Sequence, residues 1–183
     1  MAVVGKKKYT EADYQLLEEG APFQLINGDL VMSPLPTSYH QILSARLFKV
    51  IDAFLEQDND QGICLYSPID VVLDDENIFQ PDLIYISAER KPELLQERIM
   101  GAPDLIIEIL SPSTAYYDLK QKKDFYELYG VKEYLIIDPI RKDAEVYFLT
   151  KGKFNMQQKE QQNGTVSLNT LSGLQIDLQK LFA

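Results

Sequence analysis

Residues 101–139 read GAPDLIIEILSPSTAYYDLKQKKDFYELYGVKEYLIIDP. Leu105 to Leu110 is an almost unbroken apolar run, the pattern of a strand covered on both faces, and Glu108 interrupts it. A carboxylate in such a strand is ion-paired, protonated or bound to a metal, because a bare charge away from water is expensive. Beyond the SPST turn, the charged segment 115–129 predicts a helix carrying Lys120, Lys122 and Lys123 and ending at Gly130. Glu133 to Asp138 then resumes as a strand stopped by Pro139. Strand, acid and lysine helix together form a candidate site on a strand-helix-strand crossover.

The rest of the chain sets limits on that site. Its 183 residues predict a single domain over 1–183 with room for a sizeable core, and 45% apolar with 25% charged residues is ordinary for a globular chain. No apolar run is long enough to span a bilayer, and MAVVGKKKYT lacks the order of a secretory signal. One cysteine, Cys64, cannot form an internal disulfide, so a cytoplasmic setting is expected. One Cys and one His also exclude the common structural zinc sites, leaving a hard, oxygen-bound cation as the metal to expect. A net charge of -10 argues against general nucleic-acid affinity but not against a local site in which a cation offsets the acids.

Outward from the crossover, Thr10 to Asp13 reads as a capping signal for a short helix ending near Gly20. Asn27-Gly28 between FQLI and DLVM predicts a β-hairpin. Pro34 and Pro36 lead to a helix capped by Thr37 or Ser38, running to Glu56 with Ile42, Leu43, Leu47, Val50, Ile51 and Phe54 on its apolar stripe; His40 lies in its first turn. Strands are predicted at 63–66, 69–73 and 82–87, with a short helix or irregular connection over 89–100. A meander at 144–149, 154–158 and 165–168 and a helical turn at 178–182 complete the chain. The pattern is that of the α/β class with a mixed sheet flanked by helices.

Two prolyl-aspartates, Pro81-Asp82 and Pro103-Asp104, open apolar strands, and each alone reads as an ordinary strand-start turn. Asp82 gains weight from strand direction. If the strands starting at Asp82 and Leu105 are antiparallel, Asp82 lies beside Glu108. Asp104, four residues before Glu108 on an extended chain, is about 13 Å away and cannot share its ion. Lys122 shares a helical face with Asp118 and Tyr126. Taken alone, that spacing reads as a solvated surface pair worth a few tenths of a kcal/mol; in the functional reading the ammonium points back over the end of the Glu108 strand. Lys120 and Lys123 face elsewhere, and Ser111 and Ser113 read as turn and cap residues rather than nucleophiles.

FQLINGDL, the proline-rich approach to His40, Asp82, PDLIIEILSPST with Glu108, the lysine helix and GVKEYLIIDP, spread over residues 9–150, resemble a restriction-endonuclease family abundant in photosynthetic bacteria and similar to the PD-(D/E)XK nucleases. The resemblance implies a restriction-endonuclease-like mixed sheet flanked by helices and a metal-dependent site. It implies Asp82, Glu108 and Lys122 as catalytic residues, with Lys122 standing in for the superfamily lysine that Leu110 replaces. It further implies Asp82, Glu108 and residue 24 as Mg²⁺ ligands and His40 as a contact to substrate. Where the family usually reads YELIDGEL, this chain has Gln24, whose carbonyl can ligate Mg²⁺ without charge. The expected function is Mg²⁺-dependent endonuclease activity on DNA by a homodimer. The alternatives are a nuclease fold that no longer cuts and serves as a binding module, and a hydrolase of another phosphorylated substrate.

Overall fold

The computed structural model describes residues 7–18, 20–58, 60–111 and 121–183. The hairpin forms as expected: β1 (Phe23–Ile26) pairs antiparallel with β2 (Asp29–Met32), and the turn residues Asn27 and Gly28 adopt φ of 50° and 70°. Those are the angles that Asn and Gly tolerate at least cost. Thr10 caps α1 (Glu11–Tyr14) through a reciprocal bond with Asp13, so the predicted signal is real but the helix is one turn long.

The crossover is parallel. β8 (Leu105–Ile109) pairs with β9 (Glu133–Asp138) in register, Glu108 opposite Ile136. The helix between them, α4, is described over Lys123–Tyr129 and closes at Gly130 with φ of 83°. Its predicted beginning, with Ser113, Asp118 and Lys120, lies outside the described residues. On one side of β8 lie β6 (Leu83–Ile86) and then β3 (Ile63–Tyr66), both antiparallel to their neighbours. On the other side β9 is followed by β10 (Asp143–Thr150) and β11 (Lys153–Gln161), giving the order β11-β10-β9-β8-β6-β3.

Alternation along β8 sends Leu105, Ile107 and Ile109 to one core and Ile106 and Leu110 to another. The first core lies under α2 (Ser38–Gln57), which buries Leu43, Leu47, Ile51 and Leu55. Each such side chain contributes about 1.5–3 kcal/mol when fully removed from water. This stripe is narrower than expected, because Ile42 and Val50 remain substantially exposed. The second core lies under α4 and a smaller sheet, ordered β2-β1-β5-β4-β7, whose remaining strands are β4 (Val71–Asp74), β5 (Asn77–Phe79) and β7 (Ile99–Met100). The strands therefore divide between sheets rather than joining one. The 89–100 connection contains α3 (Lys91–Leu94) as well as β7. β12 (Thr165–Ser167) pairs with β13 (Gln175–Asp177), and α5 (Leu178–Leu181) covers the first core.

Candidate active site

Asp82 immediately precedes β6. The β6–β8 register, with Leu83 opposite Ile107 and Ile84 opposite Ile106, continues to put Asp82 across from Glu108, as strand direction predicted. Both line one cleft of about 430 Å³, together with Gln24, His40 and Lys122. An Asp82 carboxylate oxygen accepts the Ile109 N–H at 2.7 Å. The bond pins the Asp82 side chain to the backbone one residue beyond Glu108.

Two helices on opposite faces of the sheet supply the remaining polar groups. From α2, whose first turn is held by the His40 N–H donating to the Thr37 hydroxyl, the His40 ring reaches the end of β8. Its Nε2 lies 3.2 Å from Asp82 Oδ2 and 3.1 Å from the Ile109 carbonyl oxygen. Both neighbours are acceptors, so Nε2 carries the proton. From α4, Lys122 Nζ and the Tyr126 hydroxyl each donate to Glu108 Oε1 at 2.9 Å. Their four-residue spacing places both donors on one helical face. Tyr126, with its ring edge-on to Phe79 and Tyr134, is a contact of Glu108 that the sequence reading did not assign. Its spacing from Lys122 was the available signal.

Gln24 enters the cleft from β1. Its Oε1 accepts the Gln80 N–H at 2.8 Å and its Nε2 donates to Ser33 Oγ at 2.8 Å. Gln80 in turn donates to Asp70 at 3.0 Å, so residue 24 is braced from behind. Ser111 lines the same cleft. Lys123 points away, its ammonium 3.3 Å from the centroid of the Tyr147 ring. Burial lowers its pKa, although Glu145, Glu127 and Asp124 act the other way.

Two other buried acids are structural. Asp104 receives the Ser87 N–H at 2.8 Å, Lys132 at 2.7 Å and Arg90 at 3.3 Å, at the opposite end of β8 from Glu108. The second prolyl-aspartate is thus an ion-paired brace. Glu133 accepts the N–H groups of Asn169 and Thr170 at 2.8 and 2.9 Å and so ties down their loop.

Among the described residues no group of three or more His, Cys, Asp and Glu side chains is placed to hold a metal ion. Asp82, Glu108 and Ile109 line the same cleft, and the oxygens they offer are hard donors. Mg²⁺ prefers such donors, binding through one or two carboxylates and keeping several waters. A carboxylate has about four lone-pair sites, so bonding to Lys122 and Tyr126 is compatible with bonding to a cation.

Comparison with known proteins gives concordant results. Residues 10–179 match the model of a family, Uma2, described as "Putative restriction endonuclease". A Synechocystis sp. (strain ATCC 27184 / PCC 6803 / Kazusa) protein described as "Uncharacterized protein sll1609" is 30% identical over 151 residues, covering 80% of this chain and 84% of that protein. The fold is shared with a crystal structure from Anabaena variabilis ATCC 29413, described as "a putative nuclease belonging to DUF820". The TM-score is 0.77 and the identity 20%, over 94% of this chain and 97% of that one.

Proposed function

The chain belongs to the Uma2 restriction-endonuclease family, and from that premise we propose that it is a Mg²⁺-dependent endonuclease hydrolysing phosphodiester bonds in DNA. The observation that carries this reading is the convergence of Asp82 and Glu108 at the end of neighbouring antiparallel strands, with Lys122 on the same cleft. Asp82, Glu108 and the Ile109 carbonyl would hold the ion, with Gln24 beside them. When bound, Mg²⁺ supplies a more acidic water and stabilises charge on the phosphate. Lys122 pairs with Glu108 and sets its orientation, and in this reading its ammonium would also offset charge on the phosphate. The His40 Nε2–H is engaged by Asp82 and Ile109, so His40 would steady the Asp82 carboxylate and meet substrate through the part of its ring that lines the cleft. None of these groups is a covalent nucleophile.

Nicking of a supercoiled plasmid is the test. Wild-type protein with Mg²⁺ or Mn²⁺ should convert it to the open circle, and chelator, Asp82→Asn or Lys122→Ala should abolish this. Metal-independent nicking, or nicking that survives Asp82→Asn, would overturn the reading. The proposed assembly is a homodimer, since cutting two strands commonly uses two sites related by a two-fold axis. A monomer in light scattering at micromolar concentration would remove that part. A cytoplasmic setting belongs to the same proposal; among the described residues no helix is long and apolar enough to cross a membrane.

A second reading, a nuclease fold that binds without cutting, is favoured by one observation. Gln24 brings no charge to the cleft, and both ends of its amide are engaged by Gln80 and Ser33.

A further inference from the structure

Among the described residues the cleft is lined by hydroxyl, amide and large apolar side chains with few cations, where a surface for double-stranded DNA would be basic. Among the described residues that line it, the charged groups are Asp82, Glu108 and Lys122, and Lys122 is bonded to Glu108. Around them stand large apolar side chains from three separate elements: Leu35, 92% exposed, Ile140, 77% exposed, and Tyr66, 57% exposed.

Each is held in place rather than merely uncovered. Leu35 lies between Pro34 and Pro36, which fix their own φ and restrict the residues before them to extended backbone. The segment is anchored at Ser33, which accepts the bond from Gln24 at the cleft wall. Ile140 sits in the β9–β10 turn, where the N–H groups of Ile140 and Arg141 donate to Asp138 at 2.9 and 3.0 Å. The Tyr66 ring is packed edge-on against Phe48, with centroids 4.8 Å apart.

Apolar groups held in this way gain nothing from a paired duplex, which hides its base faces in the stack and presents phosphates. They gain from a strand whose bases are open, because stacking on an aromatic side chain tolerates any sequence and every base has a face to offer. In a chain of net charge -10, such contacts would have to supply what phosphate contacts to lysine and arginine usually supply. We propose that the cleft takes an unpaired DNA strand, with the bases flanking the phosphodiester stacked on Tyr66 and wedged by Leu35 and Ile140. The proposal rests on reading Asp82, Glu108 and Lys122 as a phosphodiester site and names the substrate class of that site. In a homodimer, each protomer would engage one strand of an opened duplex.

The experiment measures fluorescence anisotropy of a labelled oligonucleotide, single-stranded or annealed to its complement, in Ca²⁺ buffer, alongside Mg²⁺-dependent cutting of the same two substrates. The single strand should bind at least about tenfold tighter than the duplex, Tyr66→Ala should weaken it by about tenfold, as loss of one stacked base does, and Leu35→Ser should weaken it measurably but less. Leu16→Ser, which removes an equally exposed leucine outside the cleft lining, should change nothing. Thermal melts of all variants should coincide with wild type. Equal or tighter duplex binding, single-strand binding insensitive to both variants, or no binding of either substrate would overturn the proposal. Preferential cutting of paired duplex would overturn it too and leave the nuclease reading standing. Single-strand binding that depends on Tyr66 and Leu35 without any metal-dependent cutting would support it and remove the nuclease reading.

Discussion

Lys122 Nζ lies 2.9 Å from Glu108 Oε1, and both side chains are almost completely enclosed. The contact joins α4 to β8 and explains how a carboxylate is carried by an otherwise apolar strand. Removing one partner of such a pair leaves a buried charge without compensation, at a cost of about 3–5 kcal/mol, whereas replacing both with apolar or neutral groups is far cheaper. In urea unfolding, Lys122→Met and Glu108→Gln should each destabilise strongly, and the double variant should recover much of the loss. Additive losses would show that the two groups do not depend on one another.

Glu133 is buried as deeply as Glu108 but has a different environment. Its Oε1 accepts from the Asn169 N–H and amide, and its Oε2 from the Thr170 N–H and hydroxyl, at 2.6–3.2 Å. Glutamine has one acceptor oxygen, so Glu133→Gln turns an NH₂ toward donors. Bonds to a charged acceptor are worth about 1.5–3 kcal/mol each, and a loss of that size in unfolding free energy is expected. Plasmid nicking should be unaffected, because Glu133 does not line the cleft. A variant as stable as wild type would show that the loop does not need the charge.

The difference between these acids marks what the sequence could reveal. Glu108 was legible because it interrupts an apolar run, and its place across from Asp82 only on the condition that the two strands are antiparallel, which they are. Lys122 was not legible from its helical phase alone, which equally describes a solvated surface pair; the family resemblance singled it out. The contact of His40 with Ile109 was not legible, since it depends on how α2 docks across the end of the sheet, between residues 69 apart in sequence. The bracing of Gln24 by Gln80, 56 residues away, is equally non-local. The smaller sheet escaped notice because Asn77–Phe79 and Ile99–Met100 are too short to show a period of two. Ile42 and Val50 joined the predicted stripe on hydrophobicity alone, while the buried set follows a stricter four-residue step.

Asp104 gives a pH prediction. Burial alone would raise its pKa, but hydrogen bonds from Lys132 and from the Ser87 N–H more than offset this and hold the carboxyl below its ordinary value of 3.8. Because the unfolded chain then binds the proton more readily, the stability this group contributes is fully present above the ordinary value and is lost as pH falls through the lowered one. Wild type should exceed Asp104→Asn in unfolding free energy by a constant margin near neutrality, and the margin should close in acid below the ordinary carboxylate value. A margin that persists unchanged at the acid end would mean that charge is not what Asp104 contributes.

If the cleft holds a cation as proposed, Gln24 is the neutral group beside it. Its Oε1 takes the Gln80 N–H and its Nε2 gives to Ser33 Oγ. A glutamate in the same place keeps the first bond, and the second reverses, with the Ser33 hydroxyl as donor, so the substitution adds a charge at the cost of only the long 3.5 Å bond that Ser33 now gives to Gln80 Oε1. A unit charge a few ångströms from a cation is worth several kcal/mol at an effective dielectric constant of about 20 before desolvation is subtracted, and tenfold in affinity needs only about 1.4 kcal/mol. Calorimetric titration should therefore show weak Mg²⁺ binding by the wild type and at least about tenfold tighter binding by Gln24→Glu. Plasmid nicking should rise with it and disappear when Lys122→Ala is added. If Gln24→Glu alters neither affinity nor nicking, residue 24 lies outside the metal's reach or the site does not cut, and the binding module becomes the better account.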